Sequence, residues 1–186
     1  MRTKLTALHR LKTGPDDGLA DREFKAYAST WTRTPDSYGD VVAKGAFADT
    51  ISEWQASGNV VPILYGHDMA DPHKNIAATR SLTEDDHGLL VHGVFDETPM
   101  AEQVYQLVKG RRLSQLSFAF DVLDQAPVTL PGGGKANELR KVKLYEVSLV
   151  PVGANQDTAV VGVKAQDLRE LRTADLELRL RLARAR

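Results

Sequence analysis

The chain has 186 residues with a formal net charge of -1, 42% hydrophobic and 26% charged residues and no cysteine. That composition suits one soluble domain with a substantial core, and it excludes disulfides, thiolate metal sites and a cysteine nucleophile. A near-neutral balance argues against a general polyanion binder, so no specific nucleic-acid binding is expected, and no apolar run is long enough to cross a bilayer. The basic start, with His9 and Arg10 breaking any apolar stretch, does not read as a secretory signal, which points to an intracellular protein.

Residues 1–22 end in the turn-rich Thr13-Gly14-Pro15-Asp16-Asp17-Gly18 and read as a flexible arm before the domain. Phe24, Ala26 and Ala28 alternate with Lys25, Tyr27 and Ser29, which predicts a first strand from Phe24 to Trp31. A polar loop over Thr34–Asp40 follows, then a brief strand at Val41 and Val42. Phe47, Ile51 and Trp54 fall on one stripe of a helix that ends near Gly58. Val60–Tyr65 is a short apolar strand, and His67 follows at its end.

Asn75–Leu82 and Gly88–Phe95 read as a hairpin joined by an acidic turn. Thr98 and Pro99 mark a helix start, with Met100, Val104, Leu107 and Val108 on its apolar face and Lys109-Gly110 at its close. A strand then carries Leu116, Phe118, Phe120 and Val122 on one face, leaving Ser117 and Ala119 on the other. The segment Leu130–Asn137, with three consecutive glycines, reads as a flexible loop. It lacks the spacing and the Lys-Ser/Thr pair of a phosphate loop.

Val142–Val150 is strongly β-prone, and Glu146 is its odd member, since a carboxylate is rarely buried without a partner. Thr158–Val163 is expected as a last strand. Residues 165–186 form a charged amphipathic helix or tail, with too few heptads for a stable coiled coil.

Ser117, His67 and Glu146 together supply the residue types of a nucleophile, a general base and an acid that orients the base. Ser114 and Ser148 are neighbouring serines with weaker claims. His67, Asp68, Asp71 and His73 suggest a metal site by ligand type, but a loop of this composition is commonly solvated and the HExxH spacing is absent. Metal and cofactor are therefore both expected to be none. Arg111, Arg112 and the glycine loop are the candidates for stabilising an oxyanion.

The phrases Asp40-Val41-Val42-Ala43-Lys44-Gly45-Ala46-Phe47, Leu64-Tyr65-Gly66-His67-Asp68, Leu116-Ser117-Phe118-Ala119-Phe120 and Tyr145–Asn155, in this order, resemble the prohead maturation proteases of tailed bacteriophages. The resemblance spans residues 24–163 and implies an α+β fold related to herpesvirus assemblin, a mostly antiparallel β-barrel flanked by a few helices. It implies a protease domain over residues 23–164 and places the catalytic residues at His67, Ser117 and Glu146.

It further implies a serine endopeptidase packaged inside the immature capsid in the host cytoplasm. Its expected partners are the major capsid protein and scaffold, as substrates, with self-cleavage and a possible homo-oligomer. No long scaffold fusion follows the domain, so scaffold is expected as a separate chain or as part of the capsid protein. The rival readings are a catalytically silent capsid-assembly protein of the same fold and a serine esterase or amidase, the latter disfavoured by the lack of a Gly-x-Ser-x-Gly elbow around Ser117.

Overall fold

The computed structural model describes residues 2–7, 12, 13, 15, 18–36 and 38–151. The strand expected at Thr158–Val163 and the helix expected over 165–186 lie outside these residues, as does His9.

Nine strands form one sheet in the described residues: β1 (Arg2–Ala7), β2 (Lys12–Thr13), β3 (Glu23–Thr30), β4 (Asp40–Val42), β5 (Pro62–Tyr65), β6 (Asn75–Glu84), β7 (Gly88–Phe95), β8 (Gln115–Thr129) and β9 (Lys135–Val150). Their order is β1-β8-β9-β5-β6-β7-β3-β2, with β4 pairing β9. The sheet curls into a half-barrel that brings β3 against β1 and β8. The fold is thus α+β and mostly antiparallel, as expected. Two pairings are parallel, β4 and β5 each against β9, and local periodicity carries no trace of them because strand direction is set by the connections.

Residues 2–7 and 12–13 depart from the flexible arm that their turn-rich ending predicts. β1 runs antiparallel along β8, with Leu5 opposite Ser117, and β2 pairs β3. Six residues of mixed polarity become a strand here because a free ladder edge is available to satisfy their backbone groups, which is a tertiary cause.

Helix α1 (Ala48–Ser57) ends at Gly58, whose φ of +71° takes the left-handed conformation that a glycine accepts without strain. Phe47 is fully buried, and Ile51 and Trp54 pack onto the core from the same stripe. Helix α2 (Pro99–Lys109) begins with the Thr98 hydroxyl accepting from the Ala101 N–H at 3.3 Å, and it lies on β6 and β7. The core between sheet and helices is built from Phe24, Phe118, Phe120, Ile63, Leu89 and Leu144, among others.

The long β8–β9 hairpin is the main surprise in element length. The glycine segment is not a long loop but a tight reversal, closed by Leu130 N–H donating to Gly134 O at 2.7 Å, and β9 begins directly at Lys135. The outer part of β8 is mostly exposed, and that of β9 buries only Leu139 and Val142, three residues apart, so neither shows the apolar alternation by which a strand is read from sequence.

Candidate active site

Strands β8, β9 and β5 lie side by side, and the register fixes what they bring together. Ser117 is opposite Ser148 and Ala119 is opposite Glu146 across β8 and β9, so all four side chains share one face of the sheet. Ser117, Ala119, Glu146 and Ser148 are each fully buried. On the other side of β9, Leu64 of β5 pairs with Ser148. The chain leaving β5 therefore passes over this group.

Gly66 and His67 then take consecutive left-handed conformations, φ +74° and +63°. Gly66 N–H donates to Leu149 O at 3.0 Å and His67 N–H to the Ser148 hydroxyl at 3.0 Å, which ties the turn down onto β9. The reversal points the imidazole back across the sheet. Its Nε2 lies 2.5 Å from Ser117 Oγ, and its Nδ1 lies 2.6 Å from Glu146 Oε1. Glu146 Oε2 accepts a short hydrogen bond from the Ser148 hydroxyl. The imidazole is 19% exposed while Glu146 is 0%, so the site is open at the histidine and closed at the carboxylate.

The residue types dictate the proton arrangement. A carboxylate only accepts, so Nδ1 carries the proton donated to Glu146 and Nε2 is left with a lone pair facing the serine hydroxyl. An arrangement of this kind can take a proton from a hydroxyl and hold the resulting imidazolium.

The position of Glu146 depends on a bulge. The register passes from Ala119 opposite Glu146 to Phe120 opposite Leu144, so Tyr145 is an extra residue in β9. Helix α1 holds the strand at that point: Leu144 N–H donates to Thr50 Oγ1 at 3.1 Å, and Trp54 Nε1–H donates to Leu144 O at 3.0 Å. Tyr145 turns outward and its hydroxyl donates to Asp121 at 2.7 Å, a bond that holds its phenol above the usual range.

Other residues singled out from sequence fall elsewhere. Ser114 is exposed in the turn between α2 and β8. Asp68 accepts from the backbone of Ala70 and Asp71, and Asp71 from that of His73, so these carboxylates close their own turn. No three His, Asp or Glu side chains converge as a metal-binding group among the described residues.

Of the three candidates for stabilising an oxyanion, none offers a backbone donor beside Ser117. The backbone N–H groups of Arg111 and Arg112 are spent on Val108 O and Leu107 O at the end of α2. The glycine turn is 12 strand residues beyond Ser117, on the order of 40 Å along β8. Ser148 is the residue whose part was least visible. Its place two positions after Glu146, hence on the same strand face, was the available signal.

The fold is similar to that of the bacteriophage T4 capsid assembly protease, gp21, with a TM-score of 0.55 at 9% sequence identity, covering 81% of this chain and 99% of that one. Curated protein sequences give no significant match. The family model for caudovirus prohead serine proteases matches residues 10–173, a span that takes in β5, β8 and β9 and with them His67, Ser117, Glu146 and Ser148. By that match the chain belongs to the caudovirus prohead serine protease family.

Proposed function

We propose that the protein is an active serine endopeptidase of capsid maturation, with Ser117 as nucleophile, His67 as general base and Glu146 as the acid that orients it. The observation that carries this is the unbroken line of contacts from Ser117 Oγ through the imidazole to Glu146. A serine hydroxyl is a poor nucleophile at neutral pH, and a fully buried glutamate is costly without a partner; one histidine answers both.

In the first step Ser117 Oγ attacks the scissile carbonyl carbon while its proton passes to His67 Nε2. Glu146 holds the imidazolium in place through Nδ1–H. Collapse of the tetrahedral intermediate breaks the C–N bond, and Nε2 gives the proton to the leaving amine. A water molecule, deprotonated by the same nitrogen, then attacks the acyl carbon, the C–O bond to Ser117 breaks, and His67 Nε2 returns the proton to Ser117 Oγ. The chemistry needs no metal or cofactor.

The substrates we assign are scaffold and the scaffolding segment of the major capsid protein, cut inside the immature capsid in the host cytoplasm, with self-cleavage in the terminal segments. Family membership supports the capsid setting. Among the described residues, no helix is long and apolar enough to cross a membrane.

The test is intact-mass analysis of capsid and scaffold proteins co-expressed with wild type, Ser117→Ala, Ser114→Ala or Glu146→Gln. Shortened products should vanish with Ser117→Ala, weaken with Glu146→Gln and persist with Ser114→Ala. Shells that assemble with uncut proteins in wild type and Ser117→Ala alike would favour the silent assembly protein instead.

A further inference from the structure

A serine in a buried strand ordinarily satisfies its hydroxyl with one nearby carbonyl. Ser148 does something different. Its oxygen accepts the His67 backbone N–H at 3.0 Å, and its proton goes to Glu146 Oε2. One hydroxyl therefore joins the residue that holds the imidazole to the backbone from which the imidazole springs, and it is fully buried, so water cannot take its place without rearrangement.

We propose that Ser148 is a positioning residue that sets the relation of Glu146 to His67, a role that rests on the catalytic roles assigned above. Two constraints meet at its oxygen. With Oε2 occupied, Glu146 is held in the rotation that offers Oε1 to Nδ1. With the His67 N–H occupied, the left-handed turn is pinned over β9 at the height where Nε2 reaches Ser117.

Removing the hydroxyl leaves a buried carboxylate oxygen and a backbone N–H each short of a partner. Both groups relieve that deficit by moving, and both movements draw the imidazole off the line between Ser117 and Glu146. A peptide or an acylating reagent touches Ser117, not Ser148, so the loss falls on the reaction step and leaves binding intact.

A fluorophosphonate probe reads that step without knowledge of the cleavage sequence. Ser117 Oγ forms a bond to phosphorus, fluoride leaves, and His67 takes the hydroxyl proton. Full-length wild type, Ser148→Ala, Ser148→Thr and Ser117→Ala are labelled at several probe concentrations, which separates the maximal labelling rate from the half-saturating concentration.

Ser148→Ala should lower the maximal rate by about 10- to 100-fold, the scale of a small misplacement of a reacting group, with the half-saturating concentration unchanged. Ser148→Thr, which keeps the hydroxyl but adds a methyl at a fully buried position, should recover part of that rate. Wild-type labelling by Ser148→Ala, or equal loss in Ser148→Ala and in a Ser148→Thr variant as stable as wild type, overturns the proposal.

If wild type is not labelled at Ser117 at all, the protease reading is what fails. The far-downfield proton resonance of the His67–Glu146 bond then decides the positioning role. A signal present in wild type and shifted or lost in Ser148→Ala supports it, and an unaltered signal overturns it.

Discussion

Glu146 stands directly across the β8–β9 pairing from Ala119, and the imidazole of His67 spans the diagonal from that carboxylate to Ser117. The four facing positions are thus three polar residues and one alanine. The small side chain leaves the carboxylate and the ring room to meet over it. Ala119 is fully buried, so added bulk cannot swing into solvent. Ala119→Val should cost about 1–3 kcal/mol by overpacking, measured by chemical denaturation. At temperatures where the variant is folded, capsid-protein processing should drop by about 100-fold, because the ring is displaced. Full processing by folded Ala119→Val would show that the space over residue 119 is not needed.

Thr50 reaches the site without touching it. Its hydroxyl oxygen accepts the Leu144 N–H beside the bulge that turns Glu146 onto the Ser117 face. Thr50→Val keeps the shape and removes the acceptor, leaving a buried N–H unsatisfied at about 1–3 kcal/mol. Thr50→Ser should restore most of that stability. Amide exchange at Leu144 should quicken in the valine variant and return in the serine variant; unchanged exchange in Thr50→Val would mean that the bulge is held by Trp54 and the sheet alone.

How much of this was legible before the structure depends on whether the cause is local. Thr98 and Pro99 announce α2, and Phe47, Ile51 and Trp54 announce α1, because caps and a 3.6-residue stripe are written in neighbouring residues. The alternation around Ser117 likewise placed it on the face away from Phe118 and Phe120. What periodicity cannot carry is register between distant strands. That Ser148 faces Ser117, that β5 runs parallel to β9, and that β1 lies along β8 all follow from pairings between segments far apart in the chain. The left-handed pair Gly66-His67 is halfway between: the glycine hints at a turn, but only the tether to Leu149 and Ser148 says where it points.

Away from the site, Asp85 closes the β6–β7 turn by accepting from the Tyr27 hydroxyl at 2.6 Å and from the backbone N–H groups of His87 and Gly88. The tyrosine bond, foremost, holds the Asp85 carboxyl below its usual range, and the same bond raises the Tyr27 phenol. A carboxyl lowered on folding contributes stability above its unfolded value, lost as pH falls through the folded one. A phenol raised on folding contributes stability below its unfolded value, lost as pH rises through the folded one. Tyr27→Phe should therefore be less stable than wild type by about 1 kcal/mol on a plateau between about pH 4 and pH 10, with the gap closing on both sides. Denaturation midpoints across that range check it; a gap independent of pH would assign the loss to packing.

The last prediction concerns the turn that aims the histidine. Gly66 has room for a side chain, since a Cβ there would meet nothing within 4 Å, so the objection to alanine is conformational and not steric crowding. At φ +74° an alanine costs about 1–2 kcal/mol, and His67 already occupies the same region at φ +63°. Two non-glycine residues in succession should make the turn relax toward ordinary backbone angles, breaking the tether to Leu149 and lifting the ring from Ser117. Gly66→Ala should fold with that modest loss, while fluorophosphonate labelling of Ser117 falls by about 10-fold or more. Gly66→Asn should lie between alanine and wild type, because asparagine tolerates the left-handed region better. Labelling that stays at the wild-type rate in Gly66→Ala would show that the bonds to Ser148 and Glu146 alone hold His67 in place.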